Sequence, residues 1–204
     1  MQYTKLGNSE LQVSRICMGC MGFGDAQNGQ HSWTLDEAHS REIIRRGLEL
    51  GVNFFDTAIG YQSGTSEQYL GRALRGRREK FVLQAHLCTI WKDGQYKRTR
   101  DLAEVKEGFT DQLRRLETDH AEIGMIHYVD SLADWETVRT GGVLDYAREL
   151  KAQGVIRAIG LSSHNPEVAL AAVNSGAIEV LMFSINPCYD LQPAGEDVEQ
   201  LWNE

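Results

Sequence analysis

Six short apolar runs alternate with five helix-like stretches along the 204-residue chain, and this alternation restricts the fold more than any other feature. The runs are ICMGCM (16–21), VNFFDTA (52–58), FVLQAH (81–86), AEIGMIHY (121–128), IRAIGLSSH (156–164) and IEVLMFSI (178–185). Between them lie segments with helical signals. Thr34 and Glu37 have capping-box spacing, and Gly51 follows the last turn. Ser66 can cap EQYLGRAL. Asp101 and Glu104 open a stretch whose Leu102, Val105, Phe109, Leu113 and Leu116 share one face. GVLDYARELKAQG stops at Gly154, and Asn165–Pro166 starts a segment that Gly176 stops. Two further runs, QYTKLG and LQVSRI, flank NSE and predict an N-terminal hairpin. GEDVEQLWNE reads as a last helix.

Strands alternating with helices on this scale are parallel, with helical crossovers. Their near-continuous apolarity fits a sheet covered on both faces or closed on itself. Two architectures meet these terms, an open doubly wound sheet and a (β/α)8 barrel. No GxGxxG follows the first strand, which lowers the dinucleotide-binding open sheet. The fold class expected is therefore α/β, a (β/α)8 barrel behind an N-terminal hairpin, in a single domain over 1–204. Six units are countable where eight close the barrel. The expectation is a chain that lacks the last strands and helices, as a fragment or as part of a longer product.

The formal charge of −8 argues against nucleic acid, whose phosphates need a basic surface. No apolar run approaches the roughly 18 residues of a membrane span. The polar start MQYTKLGNSE resembles no export signal, so a cytoplasmic setting with reduced thiols is expected for Cys17, Cys20, Cys88 and Cys188. CMGC has CxxC spacing but no second pair, and reads first as buried structural thiols.

A parallel barrel places its chemistry at the C-terminal ends of its strands. The polar residues there are Asp56, then Tyr61 in the following loop, His86, His127, and Ser162, Ser163 and His164. An acid, a phenol and two imidazoles at one mouth form a set able to orient and exchange protons. His86, His127 and Asp56 are also residue types that hold zinc, which leaves a metal-dependent lyase or hydrolase open.

The segments YTKLGNSELQVSRICMGCMGFG, GVNFFDTAIGYQSGTSEQYLGRAL and GVIRAIGLSSHN resemble the aldo-keto reductases along essentially the whole chain. The resemblance implies that Asp56, Tyr61 and His127 fill the acidic, tyrosine and histidine places of a catalytic tetrad. It implies carbonyl reduction by hydride from NADP(H) or NAD(H), with Tyr61 as general acid and a small carbonyl or alcohol as substrate. His86 stands where the family usually has lysine; Lys80 precedes the strand, and Lys92 reaches only by folding back. The resemblance further implies that Gly19, Cys20 and Met21 approach the cofactor with their backbone. Ser162 and Ser163 match a Ser–Asn pair that holds the nicotinamide carboxamide. Met182 falls where a glutamine is usual, and Asn186 is the substitute. A catalytically retuned or inactive cofactor-binding regulator is the competing implication. LQAHL, GQYKRTRD and GMIHYVD look like a subgroup that carries a ferredoxin-like segment. A 4Fe–4S cluster is therefore expected only in sequence beyond residue 204, since no C-x2-C-x2-C run occurs within it. Oligomeric state is not legible.

Overall fold

The computed structural model describes residues 1–27 and 31–185. β1 (Tyr3–Lys5) and β2 (Gln12–Ser14) pair antiparallel as the expected hairpin. β3 (Cys17–Gly19) leads to α1 (Glu37–Glu49), then β4 (Phe54–Asp56) and α2 (Thr65–Leu74). β5 (Val82–Leu87) is followed by a second hairpin, β6 (Thr89–Lys92) and β7 (Gln95–Arg98), and by α3 (Leu102–Arg115). β8 (Ile123–Ile126) precedes two helices, α4 (Leu132–Thr140) and α5 (Val143–Ala152). β9 (Ala158–Ser163), α6 (Pro166–Asn174) and β10 (Val180–Phe183) complete the described chain. The helix read in GEDVEQLWNE lies outside the described residues.

β3, β4, β5, β8, β9 and β10 form one sheet in chain order, and every neighbouring pair is parallel. Consecutive strands pairing in order is the winding of a barrel, whereas a doubly wound sheet reverses direction at a switch point. The architecture is α/β, a curled sheet corresponding to part of a (β/α)8 barrel.

The two faces of the sheet carry different chemistry, because side chains two apart share a face. Outward-facing Phe55, Leu83, Leu87, Ile126 and Leu161 pack with helix residues such as Ile44, Leu70, Phe109 and Ala147. Each such buried Leu, Ile or Phe side chain contributes about 1.5–3 kcal/mol of transfer free energy. The inner face is apolar only near the strand N-termini. There Val82, Ile123, Met125, Ala158 and Val180 meet Leu11 and Val13, so the first hairpin plugs the bottom. One and two steps further along the same face stand Asp56, Gln84, His86 and Ser162, all buried. Gly160 sits between the two layers, where a Cβ would come within 2.7 Å of the Met125 methyl.

Two caps differ from expectation. Asp36, not Thr34, caps α1 by accepting from the His39 N–H, because Thr34 Oγ1 is committed to the Gly24 carbonyl. α2 begins after left-handed Gly64, and Ser66 Oγ instead donates to the Cys20 carbonyl at 2.7 Å and meets Thr57 Oγ1 at 3.2 Å. Asp101 caps α3 and Asn165 caps α6 as expected. Gly154 and Gly176 stop their helices at φ +75° and +68°, a region that disfavours side chains. The CMGC thiols are not both buried: Cys20 is, and Cys17 is exposed. Burial pushes Cys20 well above the usual thiol range, with the Asp56 charge adding to it.

Candidate active site

Parallel register brings residues distant in sequence together at the sheet's C-terminal edge. Asp56 is paired with Gln84, and His86 with Met125, two residues before His127. Asp56 Oδ1 receives Gln84 Nε2 at 2.8 Å and lies 2.9 Å from His86 Nε2. A carboxylate only accepts, so His86 Nε2 carries the proton in this contact. His86 Nδ1 is buried and makes no hydrogen bond. Gln84 was not among the residues singled out from sequence. Its signal was its place two residues before His86, on the same face of a fully buried strand.

His127 stacks on His86 with ring centroids 4.3 Å apart and planes inclined by 19°. Its Nδ1 lies 3.1 Å from Ser162 Oγ, and that oxygen accepts the Tyr128 N–H at 2.8 Å. Ser162 Oγ thus bridges the Tyr128 N–H and His127 Nδ1 and orients the His127 ring. Ser163 Oγ donates to the Asn165 carbonyl at 3.2 Å and accepts the Asn165 N–H at 3.1 Å. Burial, then the charges of His86, Arg100, His164 and Arg98, lower the His127 pKa to about 2.

That shift has a consequence for stability. An unfolded histidine titrates near 6.5 and the folded ring only near 2. Between these values the unfolded chain binds more protons, so stability falls as pH drops below about 6.5. A His127→Gln variant is expected to lose less stability than the parent between about pH 6.5 and 4.5. Urea denaturation at stepped pH measures the difference.

Tyr61 follows β4 on a loop held by strain and by one side chain. Gln62 (φ +51°), Ser63 (φ +54°) and Gly64 (φ +83°) are consecutive left-handed residues. Two of them are not glycine, and such conformations persist where surroundings enforce them. Gln62 supplies the enforcement. Its fully buried amide donates to the Asp25 and His31 carbonyls and to Thr34 Oγ1, and accepts the His31 N–H. Sequence reading did not single out Gln62. Tyr96 of the second hairpin lies against Gly60, where a Cβ would approach its ring to 2.9 Å.

Burial, then the Asp56 charge, raise the Tyr61 pKa well above the usual phenol range. This is opposite to the direction expected from a cation at position 86. Lys92 does not fold back; it pairs with Glu104 at 2.8 Å on the exposed surface. Lys80 precedes β5, at the opposite end of the strand.

Gly19 ends β3 beside Asp56, and no atom lies within 4 Å of where its Cβ would stand. Cys20 is buried while Met21 and Met182 are exposed, so this edge offers open space with apolar walls. Asn186 lies outside the described residues. Among the described residues, no group of three or more His, Cys, Asp or Glu is arranged to hold a metal ion. No described helix is long and apolar enough to cross a membrane.

Comparison with known proteins fits this geometry. The family model described as "Aldo/keto reductase family" matches residues 15–194. The chain is 33% identical over 169 residues to "Aldo-keto reductase YhdN" of Bacillus subtilis, covering 82% of this chain and 48% of that one. It is 33% identical over 197 residues to "Uncharacterized oxidoreductase YqkF" of the same organism, covering 95% and 58%. Among solved structures, aldo-keto reductase AKR11C1 from Bacillus halodurans in its holo form superposes with TM-score 0.76 at 30% identity, over 94% of this chain and 62% of that one. The chain spans about half the length of the curated relatives it matches. With a family match over most of its residues and a barrel sheet that gathers Asp56, His86 and His127 at one edge, the chain belongs to the aldo/keto reductase family.

Proposed function

We propose that the protein reduces an aldehyde or ketone to an alcohol, with Tyr61 giving the proton to the carbonyl oxygen and NADP(H), or NAD(H), as cofactor. The observation that carries this reading is the Asp56 carboxylate bonded to the His86 imidazole, with His127 stacked alongside and the Asp56 charge felt at the Tyr61 phenol. When bound, a reduced nicotinamide supplies hydride. The open space at Gly19 fits a flat ring, the backbone of Cys20 and Met21 borders it, and Ser162, Ser163 and Asn186 are the candidates to meet its carboxamide.

The chain's own residues do the rest. His127, neutral, donates to the carbonyl oxygen and fixes its direction. Tyr61 then transfers its proton to that oxygen as negative charge develops there. Its raised pKa keeps the proton on the phenol through neutral pH, which favours reduction over the reverse abstraction. Asp56 accepts from His86 and Gln84 and so holds the imidazole in place, and its charge acts on the Tyr61 phenol.

The His86 ring occupies the place where a lysine cation would draw the phenol pKa down. A His86→Lys variant is expected to move the alkaline limb of the pH–rate profile for reduction to lower pH by about one unit, and to speed alcohol oxidation. An unchanged profile would remove His86 from any tuning role. The reading as a whole is tested by titrating the product of the full gene with NADPH and NADH, following nicotinamide fluorescence and then turnover of simple aldehydes. Saturable binding with turnover supports the enzyme; tight binding without turnover favours a cofactor-sensing protein.

A further inference from the structure

Beside His127 the rings continue. Tyr128 meets His127 at 5.4 Å between centroids and His164 at 4.6 Å. The Arg98 guanidinium lies 4.3 Å from the centre of the Tyr128 ring. Tyr128 holds this position at a backbone cost, since its φ is +66°. Arg100 enforces it: its guanidinium donates to the His127 and Tyr128 carbonyls and forks onto the Asp134 carboxylate at 2.8 and 2.7 Å. The Tyr128 N–H is fixed on Ser162. A strained, braced aromatic ring thus serves as a platform for one arginine at the edge of the candidate site.

The cations here are not equivalent. Arg100 is neutralised by Asp134, and His164 faces Asp130 at 3.2 Å. Arg98 pairs with no carboxylate among the described residues. Stacking occupies only the face of a guanidinium, and its N–H edge stays free to grip an oxyanion in a bidentate fork. Arg98 sits on the second hairpin, whose Tyr96 covers Gly60 next to Tyr61. One short element therefore reaches both the proton donor and the ring next to His127.

We propose that Arg98, held on Tyr128, selects a carbonyl substrate bearing an oxyanion group, a carboxylate or a phosphate, across from the reacting carbon. This rests on the reductase reading and adds the substrate class. The oxyanion lies in the guanidinium fork while the carbonyl oxygen lies between His127 and Tyr61. Arg98 is exposed, so the effect is moderate and weakened by salt.

The test compares 4-carboxybenzaldehyde with its uncharged isostere 4-carbamoylbenzaldehyde. The ratio of their kcat/KM values is expected to favour the carboxylate by about tenfold at low salt. It is expected to fall toward one in Arg98→Gln and with added sodium chloride, and to recover in part in Arg98→Lys. The same ratio in the parent and in Arg98→Gln overturns the proposal. Phosphonomethyl-benzaldehyde as a further arm separates phosphate from carboxylate preference. If neither aldehyde reacts, the reductase reading fails by itself, and binding decides this one. Ligand-observed NMR should then show benzoate binding more tightly than benzamide in the parent and equally in Arg98→Gln; equal binding in both proteins overturns the proposal.

Discussion

Exchanging Tyr61 for phenylalanine is expected to slow carbonyl reduction by about 10²–10⁴-fold while cofactor affinity changes far less. The substitution removes one oxygen and its proton and keeps the ring that fills the loop after β4. The loop itself is held elsewhere, by the buried Gln62 amide and its bonds to Asp25, His31 and Thr34. A loss of rate therefore reports on the proton and not on a displaced loop. The raised phenol pKa sharpens the expectation, because Asp56 and burial keep that proton in place until the carbonyl oxygen gains charge. Steady-state kcat with a simple aldehyde, beside nicotinamide fluorescence titration, measures both quantities. A variant that retains most of its kcat would assign the proton to another group, His86 or His127 being the nearest.

The second large effect concerns folding and lies at the opposite end of the strands. Glu122, 6% exposed at its side chain, accepts from Arg78 Nη2 at 2.9 Å and from the Leu83 N–H at 2.7 Å. Arg78 also donates to the Phe81 and His120 carbonyls. This cluster ties the entry of β5 to the entry of β8. Glu122→Ala leaves a partly buried guanidinium without its carboxylate, though it keeps the Phe81 and His120 carbonyls, and leaves the buried Leu83 N–H without its acceptor, at a cost of about 3 kcal/mol. The exposed pair Lys5–Glu10 is worth about 0–1 kcal/mol by comparison. Urea denaturation should show the larger loss for Glu122→Ala, and a Glu122→Leu, Arg78→Met double variant should recover part of it. A loss below about 1 kcal/mol would mean that the pair stays hydrated.

The barrel winding was legible because each parallel strand is a short apolar run closed by a polar residue. That Asp56 and His86 meet at one edge was legible for the same reason, since each closes such a run. The second hairpin was not read, although Asp93–Gly94 between Lys92 and Gln95 is a hairpin turn signal and both residues have positive φ. Its strands are polar, and a plain loop was expected between β5 and α3. α4 was missed because its apolar face is narrow, with Trp135 and Val138 the buried positions. Gln62, Gln84 and the Ser162 contact to His127 depend on who meets whom across strands and loops, which single-residue types do not encode. The charge at position 86 was left open by the sequence, and burial, then Asp56, dominate at the Tyr61 phenol.

Transfer of deuterium from the reactive face of [4-²H]NADPH or [4-²H]NADH to an aldehyde joins all of these elements in one result. Asp56, Tyr61, His86 and His127 arranged around a reacting carbonyl predict an alcohol carrying one deuterium at the former carbonyl carbon, formed in step with cofactor oxidation and lost with Tyr61→Phe. Cofactor that binds and stays reduced, or alcohol formed without deuterium, would show that these side chains meet for another purpose.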